Sequence, residues 1–223
     1  FNVPEGSYCS NPYNPVTRIL ELRQMIMKFH ERGIRVVMDM VYNHMMSTVN
    51  MDNIVPGYYF RSDYLGRYTN GSGCGNELAS ERPMVRKFII DSCLHWIKDY
   101  KIDGIRFDLM ELLDIDTTKE IVKKTTKLDK NFLIYGEPWK GGSSPLVNGT
   151  YKGSQKNENF SIFNDTFRDA IRGNNHPSSG FINGNQYSSI CNWSIIEGLK
   201  GSIYTITSNP NESINYVDAH DNY

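Results

Sequence analysis

The 223-residue chain has a formal net charge of −1, from 24 lysines and arginines and 25 aspartates and glutamates. This balance provides no basic face for nucleic acid or for an anionic membrane. No apolar run approaches the roughly 20 residues of a transmembrane helix. Hydrophobic residues make up 39% of the chain and charged residues 22%, which is typical of a globular protein with one sizeable core.

The cysteines show neither the spacing of metal ligands nor a disulfide framework, and they weakly favour a reducing compartment such as the cytoplasm, with secretion left open. They are Cys9, Cys74, Cys93 and Cys191. The chain begins at Phe1 without a leader pattern, and we expect it to be a fragment of a longer protein.

The first predicted element is a helix that follows a loop rich in Gly, Pro, Asn and Ser at residues 1–13. Asn14 and Pro15 have the character of an N-cap followed by a proline in the first helical position. Apolar residues then recur at helical spacing, at Ile19, Leu22, Ile26 and Phe29. Gly33 predicts the end of this helix.

A nearly continuous apolar run at residues 34–42, IRVVMDMVY, predicts a strand buried on both faces, as in a parallel sheet. It ends in Asn43 and His44. Polar residues just beyond the carboxyl end of a parallel strand are where α/β proteins place their sites. A single histidine at such a position is more often structural, so this pair alone does not establish a site.

Residues 45–81 have no clear period and are rich in tyrosine and glycine. The segment is predicted to be a long loop after the strand, and loops of this length in compact domains are often functional. Its tyrosines could stack on sugar rings or bases, or could pack the loop against the domain.

A second helix is predicted to begin at Pro83, with an apolar stripe that reads as core: Val85, Ile89, Cys93, Trp96 and Tyr100. The segment after it, residues 103–110, reads DGIRFDLM. Because alternate residues of a strand share a face, Arg106 and Asp108 are expected to project together. A structural salt bridge is the alternative interpretation of this pair.

The rest of the chain continues the alternation of helices and strands. Helices are predicted near residues 115–127, 165–171 and 188–199, and strands at 132–136, 160–163 and 214–217, with a polar loop at 140–158. The strand at 132–136 ends in Glu137, Pro138 and Trp139. The last strand is followed by His220, Asp221 and Asn222.

This alternation predicts right-handed βαβ units and a parallel sheet. Four strands end in polar groups, which is typical of a (β/α)8 TIM barrel whose site is assembled from several strand ends. A doubly wound sheet is the second choice, since no glycine-rich phosphate loop follows any strand.

The predicted strand ends bring together three carboxylates, Asp108, Glu137 and Asp221, with Arg106. Glycoside hydrolysis uses one ionised carboxylate and one protonated carboxylic acid. Arg106 would keep Asp108 ionised, whereas the aromatic surroundings of Glu137 favour its protonated form. Carboxylate clusters also bind divalent metals, but an arginine beside the principal aspartate would compete with a cation.

The four strand-end motifs resemble the four conserved regions of the α-amylase superfamily of glycoside hydrolases. In order, they are VVMDMVYNH, DGIRFDLM, YGEPW and YVDAHDN. Within that superfamily, FNVPEGSY, IVPGYYFR, NGSGCGNELASERPMVRKFIIDS and FNDTFRDAIRG closely resemble type I pullulanases. The resemblance extends over nearly the whole chain.

The resemblance implies that Asp108 is the nucleophile, Glu137 the general acid/base and Asp221 the carboxylate that stabilises the transition state. It implies substrate contacts or substrate orientation for His44, Arg106, His220, Asn43, Trp139 and Asn222, with Trp139 as a stacking platform. The implied reaction is retaining hydrolysis of α-1,6 branch linkages in pullulan or branched glucans. It would require no cofactor, although the full-length protein could hold a structural calcium.

The resemblance further implies that the chain is an incomplete barrel that covers roughly barrel strands three to seven, with the flanking domains absent. Some residues depart from the family pattern without removing a catalytic group: Met45, Glu111, Pro138 and Ala219. Two alternatives stay open. One is another superfamily enzyme of isoamylase or branching type, and the other is a non-catalytic glucan-binding relative.

Overall fold

The computed structural model describes residues 1–174 and 179–221, which form two compact units. The first unit comprises Phe1–Ile134 and Trp139–Thr150, and the second comprises Tyr135–Pro138 and the described residues from Tyr151 onward. In the described part of the chain, no helix is both long enough and apolar enough to cross a membrane.

The first unit alternates helices with strands, as the sequence predicts. Its helices are α1 (Pro15–His30), α2 (Val49–Asp52), α3 (Pro83–His95) and α4 (Ile115–Leu128). Its strands are β1 (Val37–Met40), β2 (His44–Met45), β3 (Asn76–Glu77) and β4 (Gly104–Phe107), followed by the first half of β5 (Leu133–Gly136). A π-helical turn, Trp96–Tyr100, extends α3, and a short 3₁₀ helix, Met110–Leu112, follows β4.

The predicted limits of α1 are confirmed. The Asn14 side chain accepts a hydrogen bond from the amide of Val16 at 3.0 Å, and Pro15 occupies the first helical position. Beyond the helix, Gly33 has a φ of +70°, a conformation that costs glycine little.

Parallel pairing of β1 with β4 forms the core of the first unit. The register places Asp39 opposite Arg106. The amide of Leu133, at the start of β5, donates to the carbonyl of Asp103 at 2.9 Å. Ile105 and Phe107 are fully buried. Cys93 of α3 is also fully buried, and burial raises the pKa of its thiol to about 12, in agreement with its prediction as core.

Residues 45–81 are more ordered than the predicted loop. Besides α2, they contain β3, which pairs antiparallel with β2, with His44 opposite Glu77. The amide of Leu78 donates to the carbonyl of Asn43 at 3.0 Å. This return strand therefore fixes the backbone of Asn43 and His44.

The ion pair between Arg61 and Glu77 anchors this segment. Arg61 Nη1 lies 2.5 Å from Glu77 Oε2, and Glu77 is fully buried. Burial by itself lowers the pKa of the Arg61 guanidinium, but its hydrogen bonds and charge interactions with Glu81 and Glu77 raise that pKa above its ordinary value. Ser144 Oγ donates to the same Glu77 oxygen at 2.7 Å.

We expect Glu77→Ala to lower the free energy of unfolding by about 3–5 kcal/mol, because it leaves Arg61 buried without its inner partner. Urea denaturation measures this change. Asp91→Ala is the control, since Asp91 pairs with Lys87 on α3, where the two side chains are 53% and 61% exposed, and the loss should stay below about 1 kcal/mol. Equal losses in the two variants would contradict this assignment.

The second unit contains the end of β5, then β6 (Ser161–Phe163), α5 (Asp165–Arg172), α6 (Ser189–Leu199) and β7 (Ser213–Ile214). It also has two 3₁₀ helices, Phe181–Asn183 and Pro210–Glu212. Both strand pairs, β5 with β6 and β6 with β7, are parallel, so the α/β prediction is confirmed for each unit.

The last strand is shorter than predicted, ending at Ile214 and not at residue 217. The side chains of the next two residues, Asn215 and Tyr216, make contacts elsewhere in the second unit. Asn215 Nδ2 donates to the carbonyl of Gly198 at 2.7 Å. The ring of Tyr216 packs against Phe163 with centroids 5.1 Å apart.

Candidate active site

Asp108 lies in a turn immediately after β4, and not within the strand as the sequence predicts. Its amide still donates to the carbonyl of Met40 at 3.1 Å, which keeps it beside the end of β1. The next residue, Leu109, has a φ of +40°. A non-glycine residue in this region is strained, and such strain is frequent at functional sites. The turn directs the chain into the 3₁₀ helix.

Arg106 links two carboxylates of the first unit. Its Nη1 lies 3.0 Å from Asp108 Oδ1 and 2.9 Å from Asp39 Oδ1. Arg106 is 7% exposed. The predicted pairing of Arg106 with Asp108 is therefore confirmed, although strand alternation alone does not produce it.

Asn43 connects Asp108 to His44. Its Nδ2 donates to the carbonyl oxygen and to Oδ2 of Asp108, both at 2.8 Å. Since these partners only accept, the Asn43 Oδ1 faces Nδ1 of His44, 2.6 Å away. His44 Nδ1 therefore carries a proton, and in the neutral ring Nε2 is left as an acceptor for a hydroxyl group. Both oxygens of Asp108 are oriented, one by Arg106 and one by Asn43.

Sequence reasoning missed Asp39, because the strand around it reads as an apolar run. The signal was a single carboxylate in the middle of that run, in a strand predicted to lie in the same parallel sheet as the Arg106 strand. The Asp39 side chain is 47% exposed and contacts the same nitrogen of Arg106, Nη1, that contacts Asp108.

We expect Asp39→Asn to lower kcat/KM by about tenfold, because the neutral amide holds Arg106 less firmly. Asp39→Ala should lower it further, since no acceptor remains at this position. Steady-state kinetics of both variants on one common substrate measures the effect. Unchanged kinetics in Asp39→Ala would show that Arg106 does not depend on this contact.

Trp139 also belongs to the first unit, where it is half-buried. It opens the segment Trp139–Thr150, which lies along the residues that follow β4. The amide of Ile115 donates to the carbonyl of Asn148 at 2.8 Å, and the amide of Thr150 donates to the carbonyl of Leu113 at 2.9 Å. Trp139 is therefore presented by an ordered segment.

Glu137 is in the second unit, directly after β5, and is 3% exposed. The aromatic surroundings that the sequence predicts for Glu137 stay a prediction; Tyr135, two residues before it, packs edge-on against Phe163 with ring centroids 5.5 Å apart. Phe163 in turn contacts Tyr216. Burial raises the pKa of the Tyr216 hydroxyl to about 12, so this tyrosine stays neutral at ordinary pH.

His220 and Asp221 lie in an exposed turn of the second unit. Asn222, the other residue predicted there, lies outside the described residues. The structure thus joins Arg106, Asp108, Asn43 and His44 directly. Within residues 1–174 and 179–221, no group of three His, Cys, Asp or Glu side chains could hold a metal ion.

No protein-family model matches the chain. The pullulanase of Bacillus subtilis is 42% identical over 235 residues, which cover 100% of this chain and 32% of that protein. The solved pullulanase of Bacillus acidopullulyticus is 44% identical, with a TM-score of 0.95, over 99% of this chain and 28% of that structure.

The chain belongs to the pullulanase family. A second family member of known structure, the pullulanase of Anoxybacillus sp. LM18-11 in complex with maltotriose, is 41% identical with a TM-score of 0.92. The match covers 98% of this chain and 32% of that structure. The chain thus spans about a third of the length of these family members.

Proposed function

We propose that the protein is a debranching glycoside hydrolase that cleaves α-1,6 linkages in pullulan and branched α-glucans. The observation that carries this proposal is the arrangement around Asp108, a carboxylate whose two oxygens are separately held by Arg106 and Asn43. Membership of the pullulanase family gives its substrate class. The likeness to a structure complexed with maltotriose supports an α-glucan as the ligand.

In the proposed mechanism, Asp108 attacks the anomeric carbon while Glu137 protonates the departing glycosidic oxygen. Glu137 then removes a proton from water, which hydrolyses the covalent intermediate with overall retention. Asp221 stabilises the positive charge that develops on the sugar. His44, Arg106 and His220 hold the sugar whose bond is broken, Asn43 and Asn222 orient it, and Trp139 stacks against a sugar ring.

We also propose that β1, β4, β5, β6 and β7 are strands three to seven of a (β/α)8 barrel. The parallel pairing within each unit and the polar residues at the strand ends support this assignment. In this barrel residues 45–81 are the connection after the third strand. No cofactor takes part in the proposed reaction. If the full-length protein holds a structural calcium, EDTA should lower its Tm while leaving its kcat at low temperature unchanged.

The decisive experiment compares pullulan with amylose as substrates of the full-length protein. We expect maltotriose from pullulan and little product from amylose. NMR during the reaction should show that the first product anomer has the α configuration. Cleavage of branched glucans without cleavage of pullulan would indicate an isoamylase-type enzyme. Glucan binding without hydrolysis of any of these polymers would contradict the proposal and indicate a binding relative.

A further inference from the structure

The segment Trp139–Thr150 is attached to the first unit at several points. In its middle, Ser144 bonds to the buried Glu77. At its far end, a Cβ added to Gly149 would lie 2.2 Å from the carbonyl oxygen of Glu111, so the two backbones are in close contact. The segment is therefore tightly packed at the end that is distant from Trp139.

The attachment nearest to Trp139 is an ion pair. Lys140, the residue next to Trp139, places its Nζ 2.9 Å from Glu111 Oε1. Glu111 belongs to the 3₁₀ helix that follows Asp108. The side chains are 35% and 23% exposed, so the pair is only partly screened by solvent.

Two glycines follow Lys140 and place the backbone of the segment against residues 71–72 of the first unit. Gly141 packs against Ser72, where an added Cβ would lie 2.3 Å from the Ser72 carbonyl oxygen. The Gly142 amide donates to the carbonyl of Gly71 at 2.7 Å. Only glycine, which has no Cβ, allows this close approach at Gly141. The Lys140 side chain therefore adds the ion pair nearest to Trp139 to a backbone that is already held at the two glycines.

We propose that Glu111 and Lys140 are positioning residues that fix Trp139 relative to the turn carrying Asp108. The inference rests on the proposed function, because it assigns to this ion pair the placement of a sugar-stacking side chain beside the candidate nucleophile. Neither residue touches the reacting atoms. Loss of the pair should therefore weaken glucan binding, which raises KM, and leave kcat nearly unchanged.

The test uses Glu111→Gln, Lys140→Gln and the charge-exchanged double variant Glu111→Lys/Lys140→Glu in the full-length protein. We expect each single variant to raise KM for pullulan by about fivefold, as for the loss of a partly exposed ion pair, with kcat within twofold of the wild type. The charge-exchanged variant should return KM to within about twofold. High salt should reduce the difference between wild type and single variants.

The matched control is Glu120→Gln. The Glu120–Lys124 pair on α4 has a similar distance, 3.0 Å, and side chains that are 40% and 43% exposed, respectively. This variant should leave KM unchanged. A single variant without effect, or a charge-exchanged variant that fails to restore KM, would overturn the inference.

Hydrogen–deuterium exchange provides a second measurement that does not depend on activity. Peptides covering residues 139–149 should exchange faster in Glu111→Gln and Lys140→Gln than in the wild type or in Glu120→Gln. Equal exchange in all four proteins would overturn the inference even if pullulan is not hydrolysed. Absence of hydrolysis by the wild type, combined with faster exchange in the two variants, would contradict only the proposed function.

Discussion

Asp108→Asn should lower kcat/KM for pullulan by at least about a thousandfold, because an amide cannot form the covalent glycosyl intermediate. The amide also disturbs the local hydrogen bonds. Arg106 Nη1 and Asn43 Nδ2 both donate to the carboxylate, so either orientation of an asparagine amide places an NH₂ group against a donor. Initial rates on pullulan and detection of the intermediate by mass spectrometry measure the loss.

Asp39→Asn is the matched control, because it neutralises the other carboxylate on Arg106 and leaves the candidate nucleophile in place. We expect this control to lower kcat/KM by about tenfold, much less than Asp108→Asn. The difference separates the loss of the nucleophile from the loss of a contact that positions Arg106. Thermal unfolding of both variants tests whether they stay folded. If Asp108→Asn keeps more than a tenth of the wild-type rate while folded, Asp108 is not the nucleophile.

Local sequence signals predicted most of the helices and strands. Asn14 and Pro15 define the start of α1 through a contact between neighbouring residues, and such contacts can be read from a short stretch of sequence. The end of β4 could not be read in this way. Leu109 adopts a left-handed backbone, which a non-glycine residue rarely does, so its identity gives no sign of the turn. The predicted strand therefore ran past Asp108.

The parts of the candidate site that depend on distant residues were predicted less completely. Arg106 and Asp108 are two residues apart and were identified as a pair. Asp39 and Arg106 are 67 residues apart, and their contact depends on the register of two parallel strands. The short ladder between β2 and β3 likewise joins residues more than 30 positions apart. Sequence patterns specify which face is apolar but not which partners meet.

The Glu111–Lys140 pair shows the same limit. Each residue follows a predicted strand end, and nothing in the local pattern of either indicates a partner. Only the path of the segment Trp139–Thr150 along the 3₁₀ helix brings them together. Charged residues near a predicted site can therefore act as positioning groups even where the sequence shows them only as departures from a family pattern.

Glu137→Gln should lower the rate on pullulan by about a thousandfold, because a poor leaving group needs a proton as its bond breaks. An aryl α-maltotrioside whose phenol leaves readily does not need that proton. Glycosylation of Asp108 by this substrate should therefore stay within about tenfold of the wild type. The intermediate should accumulate as a burst of phenol, since no base is left to activate water.

Azide tests the same assignment independently. As an anion, azide attacks the intermediate without a general base, so it should restore turnover of the aryl substrate in Glu137→Gln and yield the α-glycosyl azide. Glu197→Gln is the matched control: Glu197 is also buried, at 5% exposure, and lies on α6. It should behave like the wild type and form no azide product. If Glu137→Gln loses its activity on both pullulan and the aryl substrate, and azide does not restore it, Glu137 supports the fold and is not the acid/base.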